Sequence, residues 1–403
     1  MTCRRRGFCR GEETLPPGGR ERTQTGEDQT GKDQTEVALT GMIDVLVGEL
    51  VALGGSDLHL KVGSVPAARM NGELVRLEDY NILRPEDTEG LLADMMPPFS
   101  HEVFARDGEA DFSYIAEDVG RLRVNAFRQR GSVSIVMRII PFEVPNLDNL
   151  ALPDAISKLS GEERGLVFVT GSTGSGKSTT LAAMIDRINR SEAKHIVTIE
   201  DPIEFLHKDK LSIINQREVG QDTASFSQAL RRALRQDPDV ILVGEIRDAE
   251  TARIALSAAE TGHLVLSTLH TMDTTETVNR MIDLFPPGER GQVRAMLSGT
   301  LKGVIGQRLV RTKDGEGRAA AVEVMITTGR VRDYILDPEK TDEIQEVISE
   351  GEYYGMQTYD QALLKLVAAD LVTFETALQA ASQPQNFRLM VQTLGSGLQH
   401  SSF

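Results

Sequence analysis

The run Gly171-Ser172-Thr173-Gly174-Ser175-Gly176-Lys177-Ser178 constrains this chain more than any other feature. It meets the pattern G-x-x-x-x-G-K-[ST] in full and carries Gly174 as a further glycine. Before it lies a short apolar run, Leu166-Val167-Phe168-Val169, and after it a helical stretch, Thr179-Thr180-Leu181-Ala182-Ala183-Met184-Ile185. Buried strand, glycine-rich turn and helix, in that order, form a phosphate loop. The glycines let backbone N–H groups face a β-phosphate, and the helix N-terminus adds its positive end. Lys177 is placed to reach the β- and γ-phosphates of ATP, and the Ser178 hydroxyl to hold Mg2+; Thr179 completes the expected set of contacts.

The surroundings predict a parallel sheet. Further buried-strand candidates are His195-Ile196-Val197-Thr198-Ile199, Val240-Ile241-Leu242-Val243 and Leu264-Val265-Leu266-Ser267. Between them Phe226, Ala229, Leu230, Ala233 and Leu234 share one helical face, and Ile254, Ala255, Ala258 and Ala259 another. Strands alternating with helices imply an α/β fold with helices on both faces of the sheet.

A phosphate loop alone binds nucleotide; hydrolysis needs carboxylates at the strand ends to place magnesium and orient water. Two sets qualify, Glu200-Asp201-Pro202-Ile203-Glu204 and Gly244-Glu245. A typical Walker B strand ends in Asp where this chain has Gly244, so Glu245 takes the magnesium work and Glu204 is the other candidate acid. His263 and His270 flank the strand Leu264–Ser267, beside Thr268 and Thr271, where each could sense the γ-phosphate or a neighbouring carboxylate. Arginines cluster on the predicted strands of the N-terminal region (Arg121, Arg123, Arg128, Arg130, Arg138) and before the acidic strand (Arg231, Arg232, Arg235). Such groups serve either ion-paired interfaces or bidentate phosphate recognition.

Residues 1–41 are polar and too poor in apolar side chains to offset their ordering entropy, so they are expected to be disordered, with Met42 a candidate start. Residues 42–143 read as a small α+β domain, 144–152 as a linker, 153–330 as the ATPase core, 331–385 as helices and 386–403 as a loose tail. In the first domain Ile43, Val45, Leu46, Leu50 and Leu53 approximate a helical face, and 57–62, 120–127 and 133–140 read as strands. With 44 basic and 60 acidic residues the net charge is −16, and Trp is absent; both weigh against stable nucleic-acid binding. The two cysteines, Cys3 and Cys9, are too few for a tetrahedral zinc site and read as unpaired thiols. No apolar run approaches 18 residues, and the basic start has no apolar segment behind it, so a cytoplasmic protein is expected.

Together these motifs resemble the secretion-ATPase superfamily that drives type II secretion and type IV pili. The loop GSTGSGKSTTLAAM, the aspartate box Ile199–Phe205, the atypical Walker B run Asp237–Asp248 and the histidine box Thr261–Thr271 stand in the family's order, with Asn215–Gly220 between. The likeness runs from about Met42 to about Ala381. Ser56–Leu60, Gly120–Phe127 and Gly355–Val367 are most similar to the PilT-type retraction ATPases, and the four-cysteine zinc motif of extension and secretion ATPases is absent from the core. The resemblance implies a PAS-like N-terminal domain joined to a RecA-like P-loop NTPase core with a helical C-terminal region. It also implies a homohexameric ring in which nucleotide binds between the two domains.

Carried over by motif, Glu204 and Glu245 are the catalytic and magnesium-positioning acids, His263 and His270 a phosphate-sensing pair, and Arg123 and Arg138 the N-terminal-domain arginines that approach the nucleotide. The implied task is pilus retraction through an inner-membrane platform protein. Other readings are pilus extension, competence or type II secretion, a low-turnover regulatory paralogue, a scaffold ring, or a DNA translocase. One departure is the C-terminal AIRNLIRE-type motif, of which Thr328–Asp337 keeps the arginine and apolar spacing only in part.

Overall fold

The computed structural model describes residues 41–70, 72–116, 120–140 and 144–400, with side chains up to 393. The expectations for residues 1–40, including Cys3 and Cys9, and for positions 141–143 lie outside the described residues.

The first sheet is antiparallel. Helix α1 (Met42–Ala52) leads to β1 (Asp57–Lys61), β2 (Ala67–Met70) and β3 (Glu73–Arg76); α2 (Pro85–Met95) and α3 (Pro98–Asp107) precede β4 (Glu109–Ala116), β5 (Gly120–Gln129) and β6 (Ser132–Ile139). The strand order is β3-β2-β1-β6-β5-β4. Leu58, Leu60, Leu122, Val124, Ala126, Ile135 and Met137 alternate along their strands and form one core with the helices, leaving the intervening side chains on the other face. On α1 the buried set is Ile43, Leu46, Val47 and Leu50, with Val45 60% and Leu53 46% exposed. The expected inclusion of Val45 and Leu53 is thus corrected: the packed stripe follows i, i+3, i+4, i+7.

The second sheet holds the phosphate loop. Helix α4 (Asp154–Ser160) precedes β7 (Gly165–Thr170), α5 (Lys177–Ser191), β8 (His195–Glu200), β9 (Ile213–Glu218), α6 (Phe226–Ala233), β10 (Val240–Val243), α7 (Ala249–Glu260) and β11 (Leu264–Leu269). There follow α8 (Thr274–Asp283), α9 (Arg290–Thr300), β12 (Leu301–Arg311) and β13 (Arg318–Ile326). The order is β13-β12-β7-β11-β10-β8-β9, parallel from β9 to β12, with β13 antiparallel at one edge. β7, β10 and β11 are buried along their whole length, as a sheet covered on both faces requires.

The chain closes with α10 (Gly329–Leu336), α11 (Ile344–Glu350), α12 (Tyr359–Ala368), α13 (Phe374–Ala380) and α14 (Pro384–His400). The loose tail expected from residue 386 is instead helical. Phe387 is fully buried and stacks on Phe374 at 6.3 Å between centroids, and Val391, four residues on, packs beside it. Two apolar anchors at helical spacing outweigh the polar composition of this segment.

Candidate functional site

A cleft of about 630 Å³ opens at the C-terminal ends of the parallel strands. Its walls come from Thr173, Gly174, Gly176, Lys177, Ser178 and Thr179 of the loop, Glu200, Asp201 and Glu204 after β8, Gly244 and Glu245 after β10, and Thr268 and His270 at β11. Arg138 of the first sheet closes it from the other side. Gly171, Ser172 and Ser175 stand behind this wall, and Gly171 and Ser175 are buried.

Two loop glycines are obligatory on geometric grounds. Gly171 has φ +139°, and a Cβ there would lie 2.3 Å from Gln307 O; Gly176 has φ +91°, and its Cβ would lie 2.7 Å from Gln307 Nε2. Any side chain would be strained at both. Lys177 Nζ donates to Gly171 O at 2.8 Å and Ser172 O at 2.9 Å, and burial lowers its pKa. That cost of burying a cation favours an anionic neighbour.

At Gly244, where a typical Walker B strand has aspartate, a side chain would be crowded. A Cβ there would stand 3.2 Å from Ile199 O and 3.3 Å from Glu200 Cα on the adjacent strand, closer than an ordinary contact. The acid moves one residue on. Glu245 has a side chain 13% exposed, pairs with Arg247 and meets His270 Nε2 at 3.2 Å. Burial, followed by the charges of Lys177 and Arg247, lowers the His270 pKa. Thr268 Oγ1 donates to Gly244 O at 2.6 Å and Ser267 Oγ to Val243 O at 2.7 Å, tying the end of β10 to β11.

Glu204 is exposed on the cleft wall, and Glu200 lies deeper beside it. Burial raises the Glu200 pKa against the hydrogen bonds donated by Thr198 Oγ1 at 2.7 Å and Gln216 Nε2 at 3.2 Å. His207 also lines the cleft, and burial lowers its pKa to about 4.

The paired histidines do not meet. His263 accepts from Gly165 N through its carbonyl, at the start of β7, and its Nδ1 lies 2.9 Å from Ala258 O. His270 follows the other end of β11. A six-residue strand puts roughly 20 Å between them, so of this pair His270 lines the cleft and His263 does not. Arg123 and Arg138 are direct cross-strand partners on β5 and β6. Arg138 pairs with Asp57 at 2.7 Å and lines the cleft; Arg123 is exposed beside it, off the wall. Arg231, Arg232 and Arg235 line a separate groove, where Arg231 meets Glu250 at 2.6 Å.

Arg121 takes the ion-paired interface reading; Glu218, Gln307, Leu309 and Arg318 were not anticipated. Arg121 Nη2 meets Glu218 Oε2 at 2.7 Å, with side chains 12% and 5% exposed, and Ser113 Oγ donates to the same carboxylate at 3.1 Å. This pair joins β5 to the end of β9 and fixes the first sheet against the core. Gln307 supports the loop from β12, accepting Thr180 Oγ1 at 2.8 Å, and Leu309 and Arg318 line the cleft. The signal for them was the polar stretch Thr312–Gly317 between two apolar runs, a hairpin pattern.

The family described as "Type II/IV secretion system protein" matches residues 107–386. The chain belongs to this family. A type IV pilus retraction ATPase, PilT of Pseudomonas aeruginosa, is 47% identical over 334 residues, 83% of this chain and 96% of PilT. The type IV pilus ATPase PilU of the same organism is 42% identical over 347 residues, 86% of this chain and 90% of PilU. A crystal structure of the pilus retraction motor PilT with bound ADP superposes with a TM-score of 0.79 at 46% identity, covering 85% of this chain and 98% of that one. The RecA-like core with its PAS-like preceding domain is therefore a secretion-ATPase architecture. Among the described residues no helix is long and apolar enough to cross a membrane.

Proposed function

We propose that this chain is the ATP-hydrolysing motor subunit of a type IV pilus retraction machine. The observation that carries the reading is the cleft itself: the phosphate loop, Glu204, Glu245 and His270 of the core face Arg138 of the first domain across one cavity. The near-complete match to PilT supports the assignment to retraction.

In this reading loop N–H groups and Lys177 hold the β- and γ-phosphates of ATP. Ser178 and Glu245, oxygen donors on the same wall, suit a Mg2+ that keeps most of its ligands from water and phosphate. Bound Mg2+ would neutralise charge on the phosphates. Water adds to the γ-phosphorus as the bridging P–O bond breaks, and exposed Glu204 accepts the water's proton. His270, its ring oriented by Glu245 through Nε2, stands beside the γ-phosphate position, and Arg138, with Arg123 beside it, balances charge when the first domain closes.

The closure acts between the units 42–143 and 153–330. Six copies form a ring on the cytoplasmic face of the inner membrane and work on a platform protein there. PilU is nearly as similar, and a paralogue that modulates retraction is the second reading.

Steady-state hydrolysis by the full chain tests the chemistry: Glu204→Gln is expected to lose roughly 10²–10⁴-fold in kcat while still binding nucleotide. Turnover equal to the variant's would leave a scaffold ring. Deletion of the gene with imaging of surface pili tests the task. Accumulated, non-retracting pili are expected; bald cells would point to extension, and retraction that persists in altered form to a modulating paralogue.

A further inference from the structure

Strand β12 has the nucleotide loop on one face and the C-terminal helices on the other. Gln307, 3% exposed, and Leu309 point toward α5 and the cleft. Gly306, Arg308 and Val310 alternate with them. A Cβ on Gly306 would lie 2.5 Å from the Tyr359 hydroxyl of α12, and Val310 is buried with Leu363, Ala377 and Phe387. A single residue step along this strand therefore crosses from the phosphate loop to the helical region.

Arg308 reaches further. Its guanidinium lies over the Tyr359 ring at 3.8 Å. Nη1 donates to Ala380 O at 3.0 Å, at the end of α13, and to Ser382 Oγ at 3.2 Å just after it. Nη2 donates to Met272 O at 3.3 Å, two residues after His270. The same segment is held a second time: Glu323 of β13, fully buried, accepts Thr274 N at 2.9 Å and Thr274 Oγ1 at 2.8 Å, and takes Gln345 Nε2 of α11 at 2.9 Å. The loop that carries His270 is thus tied through β12 and β13 to the C-terminal helices. The His270 side chain is 53% exposed, and among the described residues its hydrogen-bond partner at the cleft is Glu245, at 3.2 Å. Its placement therefore depends on where the backbone at 270–272 is held.

We propose that Arg308 is a positioning residue for hydrolysis that acts through His270 and transmits the packing of the C-terminal helices to the cleft. A planar fork can bond Met272 O and Ala380 O at once while stacking on a ring; a lysine ammonium cannot. Displacing a reacting group by about 1 Å can cost 10²-fold in rate without loss of binding. The inference rests on the reading that His270 faces the γ-phosphate.

The test is a double-mutant cycle in steady-state ATP hydrolysis by the full chain. Arg308→Gln is expected to lower kcat about ten- to a hundredfold with KM within about threefold of wild type. In a His270→Ala background the same change should alter kcat by less than about twofold, because the group it positions is gone. Losses that multiply in the double variant would overturn the inference. Wild-type kcat in His270→Ala alone would overturn the reading beneath it. Arg308→Lys, which keeps the charge without the fork, is expected to behave like Arg308→Gln, and full activity there would refute the fork argument. Should Arg308→Gln fail to bind ADP, the lysine variant carries the same cycle.

Discussion

Replacing Arg121 by Met is expected to loosen the first sheet from the ATPase core. The pair it breaks is buried, with Arg121 12% and Glu218 5% exposed at 2.7 Å. Removing one partner of such a pair costs about 3–5 kcal/mol, because the other charge stays buried without compensation. Glu218 would keep two donors, Ile203 N at 3.0 Å and Ser113 Oγ at 3.1 Å, which puts the expected loss at the lower end, about 3 kcal/mol. At 1.36 kcal/mol per decade this is an increase of about 150-fold in local opening. Amide hydrogen exchange of the full chain, followed in peptides spanning Gly120–Gln129 and Ile213–Glu218, reads that opening directly. Glu218→Gln removes the stranded charge, so the double variant should recover about 2 kcal/mol relative to the sum of the singles. The KM for ATP should rise in Arg121→Met, since Arg138 on the adjacent strand lines the cleft. Exchange within about threefold of wild type in both peptides, or single-variant losses that simply add, would refute the argument.

Gly171→Ala should weaken ADP binding about a hundredfold by calorimetry, because its Cβ would meet Gln307 O at 2.3 Å and push the loop out of register. His207, with its pKa lowered to about 4 from 6.5 by burial, favours the native state while it is neutral. The unfolded chain binds its proton first as pH falls, so wild type should lose up to about 3 kcal/mol between pH 6.5 and 4 that His207→Asn does not lose; parallel urea titrations at both pH values check this. Phe387→Ala should cost about 3–5 kcal/mol, read as a lower melting temperature with loss of helical signal, and an unchanged melting curve would contradict the packing of α14.

The phosphate loop was legible because its chemistry is local: glycines, a lysine and a hydroxyl within eight consecutive residues, flanked by a buried strand and a helix. The acids Glu204 and Glu245 could be found for a related reason, since a parallel sheet places its chemistry at strand ends. The arginines could be placed on strands but not sorted. Arg123 and Arg138 are neighbours only through the register of β5 on β6, and Arg121 gains its role from Glu218, 97 residues away.

The sequence by itself determined the core's class, the phosphate cradle and the order of its boxes, because periodicity and motif spacing act over a few residues. Tertiary structure decided the rest. It put His263 and His270 at opposite ends of β11, because a strand's direction and neighbours fix which end faces the loop. It set Gly244 against the backbone of the adjacent strand, where a Cβ would be crowded. It also brought Gln307 under the phosphate loop and Arg308 between Met272 and Ala380, contacts that exist only once β12 lies beside β7.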